Sequence, residues 1–379
     1  MMPLALAAMT MVGCSNDEVV NDYSQDNAIQ FGTYVGRDAQ GRGAVEDIAS
    51  VATTGFGVFA FYTDGDKYGA QEKYTSFEAN FMDNQQVKGT AGEGENPTYT
   101  WSYDPVKYWP NEATDYVSFL AYAPYDKAYE LDAENPSSIN FVVKPIVAEQ
   151  VDLLYNSAQH YNVSKQAINE NIKFLFKHAL TRVGFKAKLM VDNVNPDDDG
   201  TLDDTDDDGK TELGKETTVA ISKVELIAPF YTGGTLNLDN GAWSDYVGGT
   251  DEVIYTLEGD ALQNNTNIRS LTTPTERINK DNNFMMLIPT DKPIKVRVTY
   301  TVTTTDGELA DGSIAVTNVI ESTAFNISQT VDSETKTGLL QGKAYNLVLH
   351  IGLTSVKFDV EFVDWVDDDE YEVNVPNNK

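Results

Sequence analysis

A single cysteine in 379 residues excludes internal disulfides and thiol-built zinc sites. Basic residues are also scarce: 27 Lys and Arg stand against 59 Asp and Glu, a formal net charge of −32 at pH 7. Such a balance opposes phosphate backbones and anionic membrane surfaces, so nucleic acid is set aside as a partner and divalent cations stay open as ligands. The three histidines, His160, His178 and His350, are scattered, and no His-Glu-x-x-His helix occurs. His178 in "FLFKHAL" and His350 in "LVLHIGL" lie in apolar strands and read as core or sheet-face residues. There is no G-x-S-x-G elbow and no phosphate loop. "AGEGEN" runs into Pro97 without the strand-glycine-helix context of a dinucleotide fingerprint. Carboxylates are too abundant to single out a glycosidase pair. The sequence therefore reads as that of a non-enzyme. After Cys14 no apolar run approaches the ~20 residues of a membrane-spanning helix.

What is present is strand signal. With 41% hydrophobic residues the chain is globular, and its length allows two domains with proper cores. "AIQFGTYVG" (28–36) places Ile29, Phe31, Thr33 and Val35 on one face at period two. Strand-like runs recur at 55–63, 98–103, 116–124, 138–143 and 151–156, separated by Gly, Pro, Asn and Asp clusters. A helix fits 164–180, although its end, "IKFLFKHAL", fits a strand equally well. Further strands are expected at 181–191, 218–230, 234–244, 283–289, 294–305 and 322–328, with the longest signal at 344–365. The reading is all-β: two β-sandwich domains in tandem, 28–170 and 171–379, with few short helices.

The lone cysteine has a local explanation. "MMPLALAAMTMVG" (1–13) is uncharged and mostly apolar, with a small residue, Gly13, before Cys14. It resembles the lipobox of bacterial lipoproteins, in which a diacylglycerol is attached to the cysteine sulfur and the signal peptide is cut just before it. Several acyl chains at ~0.8 kcal/mol per buried methylene suffice to anchor a protein. The other reading is an ordinary N-terminus with an inert thiol. Residues 14–27 are polar and read as a tether, and "SNDE" after the cysteine is similar to the acidic signals that send some lipoproteins to the cell surface.

Two clusters suggest ligands. In "DNVNPDDDGTLDDTDDDGKTELG", Asn195, Asp197, Asp199, Gly200, Asp203 and Asp206 alternate oxygen ligands around a glycine, as a calcium loop requires. A second set overlaps it at Asp204, Asp206, Asp208, Gly209 and Glu212. Calcium is thus the candidate cofactor of this insertion (195–212), which resembles thrombospondin-repeat and dockerin loops; the alternative is a solvated acidic loop. Trp101, Tyr103, Tyr108 and Trp109 gather around "YDPVKYWP", which fits either a sugar-stacking platform or core packing.

Taken in order, the cysteine signal, "AIQFGTYVGR", "GFGVFAFYT", "KYWP" with "VSFLAYAP", "FKHALTRVGFKAKL", "GTLNLDNGAWS" and "GKAYNLVLHIGL" running to "VEFVDW" resemble the fimbrillins. These are type V pilins and related surface lipoproteins of Gram-negative anaerobes. The resemblance implies transthyretin-like, Greek-key sandwiches and a lipidated precursor on the outer membrane. It also implies a protease cut after a basic residue beyond the first strand, here Arg37 or Arg42. Loss of that strand opens a groove that a strand from the next subunit fills. The C-terminal "YEVNV" offers Tyr371, Val373 and Val375 on one face as a donor, or is simply the last edge strand. The implied partners are other fimbrial subunits. The alternative is a monomeric surface lipoprotein or tip adhesin that holds a glycan or host protein.

Overall fold

The computed structural model describes residues 27–35, 48–65, 68, 79–94, 97–164, 171–189, 216–263, 276–280, 283–305, 313–331, 333–352 and 356–364. The chain is all-β. Its first half holds β1 (Phe31–Val35), β2 (Phe56–Asp64), β3 (Met82–Ala91), β4 (Tyr99–Ser102), β5 (Asp115–Ala123), β6 (Ser138–Val142), β7 (Leu154–Asn156), β8 (His160–Val163) and β9 (Ile172–His178). Among the described residues the one α-helix is α1 (Ile48–Thr54). The second half begins with β10 (Thr181–Leu189), β11 (Glu216–Ala228), β12 (Tyr231–Asn237), β13 (Trp243–Gly248), β14 (Val253–Glu258), β15 (Glu276–Arg277) and β16 (Met285–Leu287). It closes with β17 (Lys295–Thr305), β18 (Ser313–Glu321), β19 (Ser328–Val331), β20 (Glu334–Thr337), β21 (Lys343–Ile351) and β22 (Val356–Asp364).

The first sheet runs β1-β9-β7-β5-β2-β3-β4, with β8 on β5. Its central strands, β2 and β5, are buried on both faces, which is why "FGVFAFYT" and "VSFLAYA" are continuous apolar runs with little alternation. One face, with Phe56, Val58, Val117, Phe119, Phe174 and Phe176, packs beneath Val51 of α1. The other face, with Phe59, Phe61, Leu120 and Tyr122, joins a larger core that continues through Val183, Phe185, Leu226, Val298 and Leu347. Gly57 makes room for this second face: a Cβ there would lie 2.2 Å from the Tyr122 ring. That ring in turn sends its hydroxyl to Asn84 Oδ1 at 2.7 Å.

Besides the two-stranded β19-β20, three further sheets carry the second half: β15-β10-β21-β22 with β16 on β10, β14-β11-β17-β18, and β13-β12-β6. In the last of these β6 pairs with β12, Val142 opposite Gly233 and Ser138 opposite Asn237. Strands from before and after residue 170 therefore share both a sheet and a core.

Several expectations change in detail. The segment 172–178 is strand, because Ile172, Phe174 and Phe176 alternate inward against exposed Lys173 and Lys177. The long signal at 344–365 is two antiparallel strands, β21 and β22. The expected strand at 322–328 reduces to one bridge, Phe325 with Ile294, before β19 starts. β3 and β18 are additional strands whose mixed sequences carry little alternation, because much of their length faces solvent; β14 is a further short strand with Tyr255 and Leu257 inward.

Candidate functional site

β1 is the edge strand of the first sheet, and it is paired in an unusual way. It runs parallel to β9, from Phe31 opposite Ile172 to Val35 opposite Phe176, in a sheet whose other pairs are antiparallel. The Ile172 N–H donates to Gln30 O at 2.9 Å. On its other side the approach to β1 pairs with the "KYW" segment: the Ile29 N–H donates to Lys107 O at 2.9 Å, and the Trp109 N–H donates to Asn27 O at 3.0 Å. The strand thus bridges two parts of the domain without being embedded in either.

Two side chains anchor it. Ile29 and Phe31 are 1% and 3% exposed, although they belong to an edge. The Phe31 ring stacks on Phe174 at 5.5 Å, lies 5.2 Å from the Tyr103 ring, and meets Phe119 and Phe56 edge-on at 5.9 and 6.3 Å. The Tyr103 hydroxyl donates to Ile29 O at 2.8 Å. Burial pushes that hydroxyl up to about 12, with the Lys107 N–H that donates to it working the other way, so it remains a neutral donor at physiological pH. Further along, Thr33 Oγ1 is buried without a partner. Full burial of an Ile or Phe side chain contributes roughly 1.5–3 kcal/mol. Among the described side chains of this segment, Ile29 and Phe31 carry most of the burial that holds β1, together with a short ladder.

The strand does not fill its surroundings. A cleft of about 790 Å³ runs along it, lined by Ile48, Trp101, Tyr103, Val106 and Tyr108 together with the β1 backbone. Removal of β1 would leave the Phe56, Phe119 and Phe174 rings facing this cleft and the β9 edge without its ladder. That combination is a ready acceptor for an extended segment, since the unpaired edge and the apolar slots are repaired together.

The aromatic cluster of the sequence finds its place here. Trp109 is 9% exposed and meets Phe119 edge-on at 6.1 Å, Trp101 packs on Phe56 at 5.2 Å, and Tyr103 holds Ile29. Tyr108 alone of the four is exposed, at 41%. Core and strand packing, not a sugar platform, accounts for the other three. The histidines are sheet residues: His178 Nδ1 meets Asp152 Oδ2 at 2.9 Å, His350 Nε2 meets Asp359 Oδ2 at 2.8 Å, and His160 Nε2 meets Lys173 O at 2.7 Å.

The remaining predicted positions lie outside the described residues: Cys14, Arg37, Arg42, the acidic positions Asn195, Asp197, Asp199, Asp203, Asp204, Asp206, Asp208 and Glu212, and Tyr371, Val373 and Val375. Among the described residues no three His, Cys, Asp or Glu side chains gather as a cation site. No described helix is long and apolar enough to cross a membrane. The slot's other wall, Phe174 and Phe176 of β9, was not assigned to the site from sequence. The only signal was its period-two pattern, which does not name the strand it faces.

Comparison with known proteins agrees with this architecture. No curated protein matches the chain. Among solved structures, a fimbrial protein from Bacteroides vulgatus is similar with a TM-score of 0.60 and 19% identity, over 90% of this chain and 100% of that one. A proposed cell adhesion protein from Bacteroides uniformis gives 0.42 and 16%, over 90% and 98% of the two chains. Another from Bacteroides ovatus gives 0.45 and 15%, over 91% and 100%. At such identities the first of these speaks to the fold. The sequence profile described as fimbrillin-like matches residues 49–365, and on that match the chain belongs to the fimbrillin-like family.

Proposed function

We propose that the chain is a structural or accessory subunit of surface fimbriae that supports adhesion and joins other subunits by strand exchange at the β1 groove. The observation that carries this reading is the state of β1: an edge strand, parallel to β9, whose Ile29 and Phe31 occupy a preformed aromatic slot. Two arginines, Arg37 and Arg42, follow it closely in sequence. A cut after either would convert an internal strand into a short peptide held by the ladder and two side chains. An incoming strand linked to a folded subunit could then replace it. On this reading Cys14 serves delivery to the outer membrane as a lipoprotein and leaves with the first strand. The role is structural and not catalytic. Family membership supports the fimbrial and adhesive setting.

The test is limited trypsin treatment of the full chain, followed by N-terminal sequencing and denaturing gels of unboiled samples. A new N-terminus at Asp38 or Gly43 and a ladder of stable oligomers are expected. A cleaved chain that stays monomeric would overturn polymer formation and leave a monomeric surface adhesin. Deletion of 371–379 separates the two halves of the exchange: if "YEVNV" donates, the truncated subunit accepts a strand but adds no further subunit, whereas an unchanged ladder excludes that donor.

A further inference from the structure

β18 closes one end of the sheet β14-β11-β17-β18. Its 9 residues, SIAVTNVIE, pair with β17 in unbroken register from Arg297 opposite Glu321 to Thr305 opposite Ser313. Among the described residues, no strand pairs with the far side of this one. From Ser313 to Ile320 there is no charge, no proline and no bulge, the devices by which edge strands normally keep other strands away. Its apolar side chains reach solvent: Ile314 and Val316 on one face are 54% and 53% exposed and Val319 on the other is 61% exposed, while Ile320 packs against the core. The one carboxylate, Glu321, is held by Arg297 at 3.0 Å and Lys295 at 3.7 Å.

Other described edges differ. β22, also 9 residues long, places Lys357, Asp359 and Glu361 along its length. β4 has only 4 residues. β13 is broken by two register shifts and carries Asp245 at φ 46°. The segment Pro145–Ala148 stands beside β14 across a shared cleft. In a chain of net charge −32, a long neutral edge is a place where a second copy can approach without opposing carboxylates.

We infer that β18 is a lateral interface between copies of this chain, in which two β18 strands pair antiparallel about a two-fold axis normal to the sheet. Such an axis keeps outer faces together, so each residue meets one of the same parity. Centred on Thr317, the pairing sets Ile314 against Ile320, Ala315 against Val319, Val316 against Asn318, and Thr317 against itself. Glu321 falls opposite Ser313, so no like charges meet. The strand is self-complementary in this register, and this selects a second copy as the occupant over an unrelated protein. The hydroxyl face is continuous with β17, where Thr301 Oγ1 lies 3.0 Å from Thr317 Oγ1. The two four-stranded sheets become one of eight. The contact is independent of the β1 groove, since it lies on a different sheet and leaves β1 in place. One such link is weak, and many along two parallel fibres would add through effective concentration.

The experiment is sedimentation equilibrium of the full, uncleaved chain over a wide concentration range, compared with Val316→Lys. A concentration-dependent dimer that becomes monomeric in Val316→Lys is expected. In a Cys14→Ser background, Thr317→Cys should form a disulfide-linked dimer under mild oxidation, while Lys357→Cys on β22 should not. Circular dichroism melts establish that the variants fold; if Val316→Lys does not, the cross-link decides. A wild-type chain that is monomeric at every concentration overturns the inference. So does a dimer that survives Val316→Lys, or one that cross-links equally well through Lys357→Cys.

Discussion

Phe31→Ala tests the central energetic claim, that β1 is held as a separable unit. Phe31 is 3% exposed and touches the rings of Phe56, Tyr103, Phe119 and Phe174. Truncation of a buried Phe to Ala typically costs ~3–5 kcal/mol when the surroundings cannot collapse. Had Phe31 sat on a central strand such as β5, that loss would appear as reduced stability of the whole chain. On an edge strand whose other buried apolar side chain among the described residues is Ile29, the cheaper response is for β1 to leave its slot while the remaining strands stay paired. Each 1.4 kcal/mol is tenfold in an equilibrium, so the open population should rise by about 10²-fold to a few thousand-fold. Hydrogen exchange reads this directly. The amides of Ile29, Trp109 and Ile172, which donate to Lys107 O, Asn27 O and Gln30 O, should lose protection by that factor. Amides of β5 and β2 should change far less. In the trypsin-cut protein the first-strand peptide should dissociate faster by a similar factor. Uniform loss of protection across β1, β2 and β5, with the peptide retained as in the wild type, would refute the separable strand.

Three more outcomes follow from the same structure. Tyr103→Phe removes the hydroxyl that donates to Ile29 O at 2.8 Å but keeps the ring; a loss of ~0.5–1.5 kcal/mol should shorten retention of the cut peptide by no more than about tenfold, and an unchanged dissociation rate would mean that the bond contributes nothing. Burial holds His160 below the ordinary histidine value, with its bond to Lys173 O acting in the opposite direction. Its contribution is therefore fully present above the unfolded value of about 6.5 and is lost as pH falls below it. His160→Gln should flatten the urea-derived stability curve between roughly pH 7 and 5, and an unaltered slope would discount the histidine. For the acidic insertion, calorimetry should show calcium binding that weakens in Asp199→Ala and in Asp208→Ala, whereas no heat above dilution would leave the loop as solvated acid.

Local sequence determined the elements. The continuous apolar run in "GFGVFAFYT" formed a strand where the pattern placed it, whereas "IKFLFKH", which fitted a helix end or a strand, became a strand because its alternate residues point to opposite faces. The order of motifs determined the family, and the first strand was legible as a unit with a basic segment after it. Partner choice was not legible. Backbone N–H and C=O groups are the same in every strand, so nothing local states that Phe31 lies beside Phe174, or that Tyr103 reaches Ile29. Those neighbours depend on how distant segments pack, which also decided between the two readings of the aromatic cluster by packing Trp101, Tyr103 and Trp109 around β1 and its sheet. Edge status is equally non-local: "SIAVTNVI" in the middle of a sheet would be ordinary core. It is an edge only because no described strand follows it in the sheet. The sequence by itself thus determined that this is an all-β, fimbrillin-like chain. Tertiary structure alone decided which strand lies at the edge beside the aromatic slot and which edge has no described strand beside it, because pairing and burial are properties of the neighbours a strand acquires on folding.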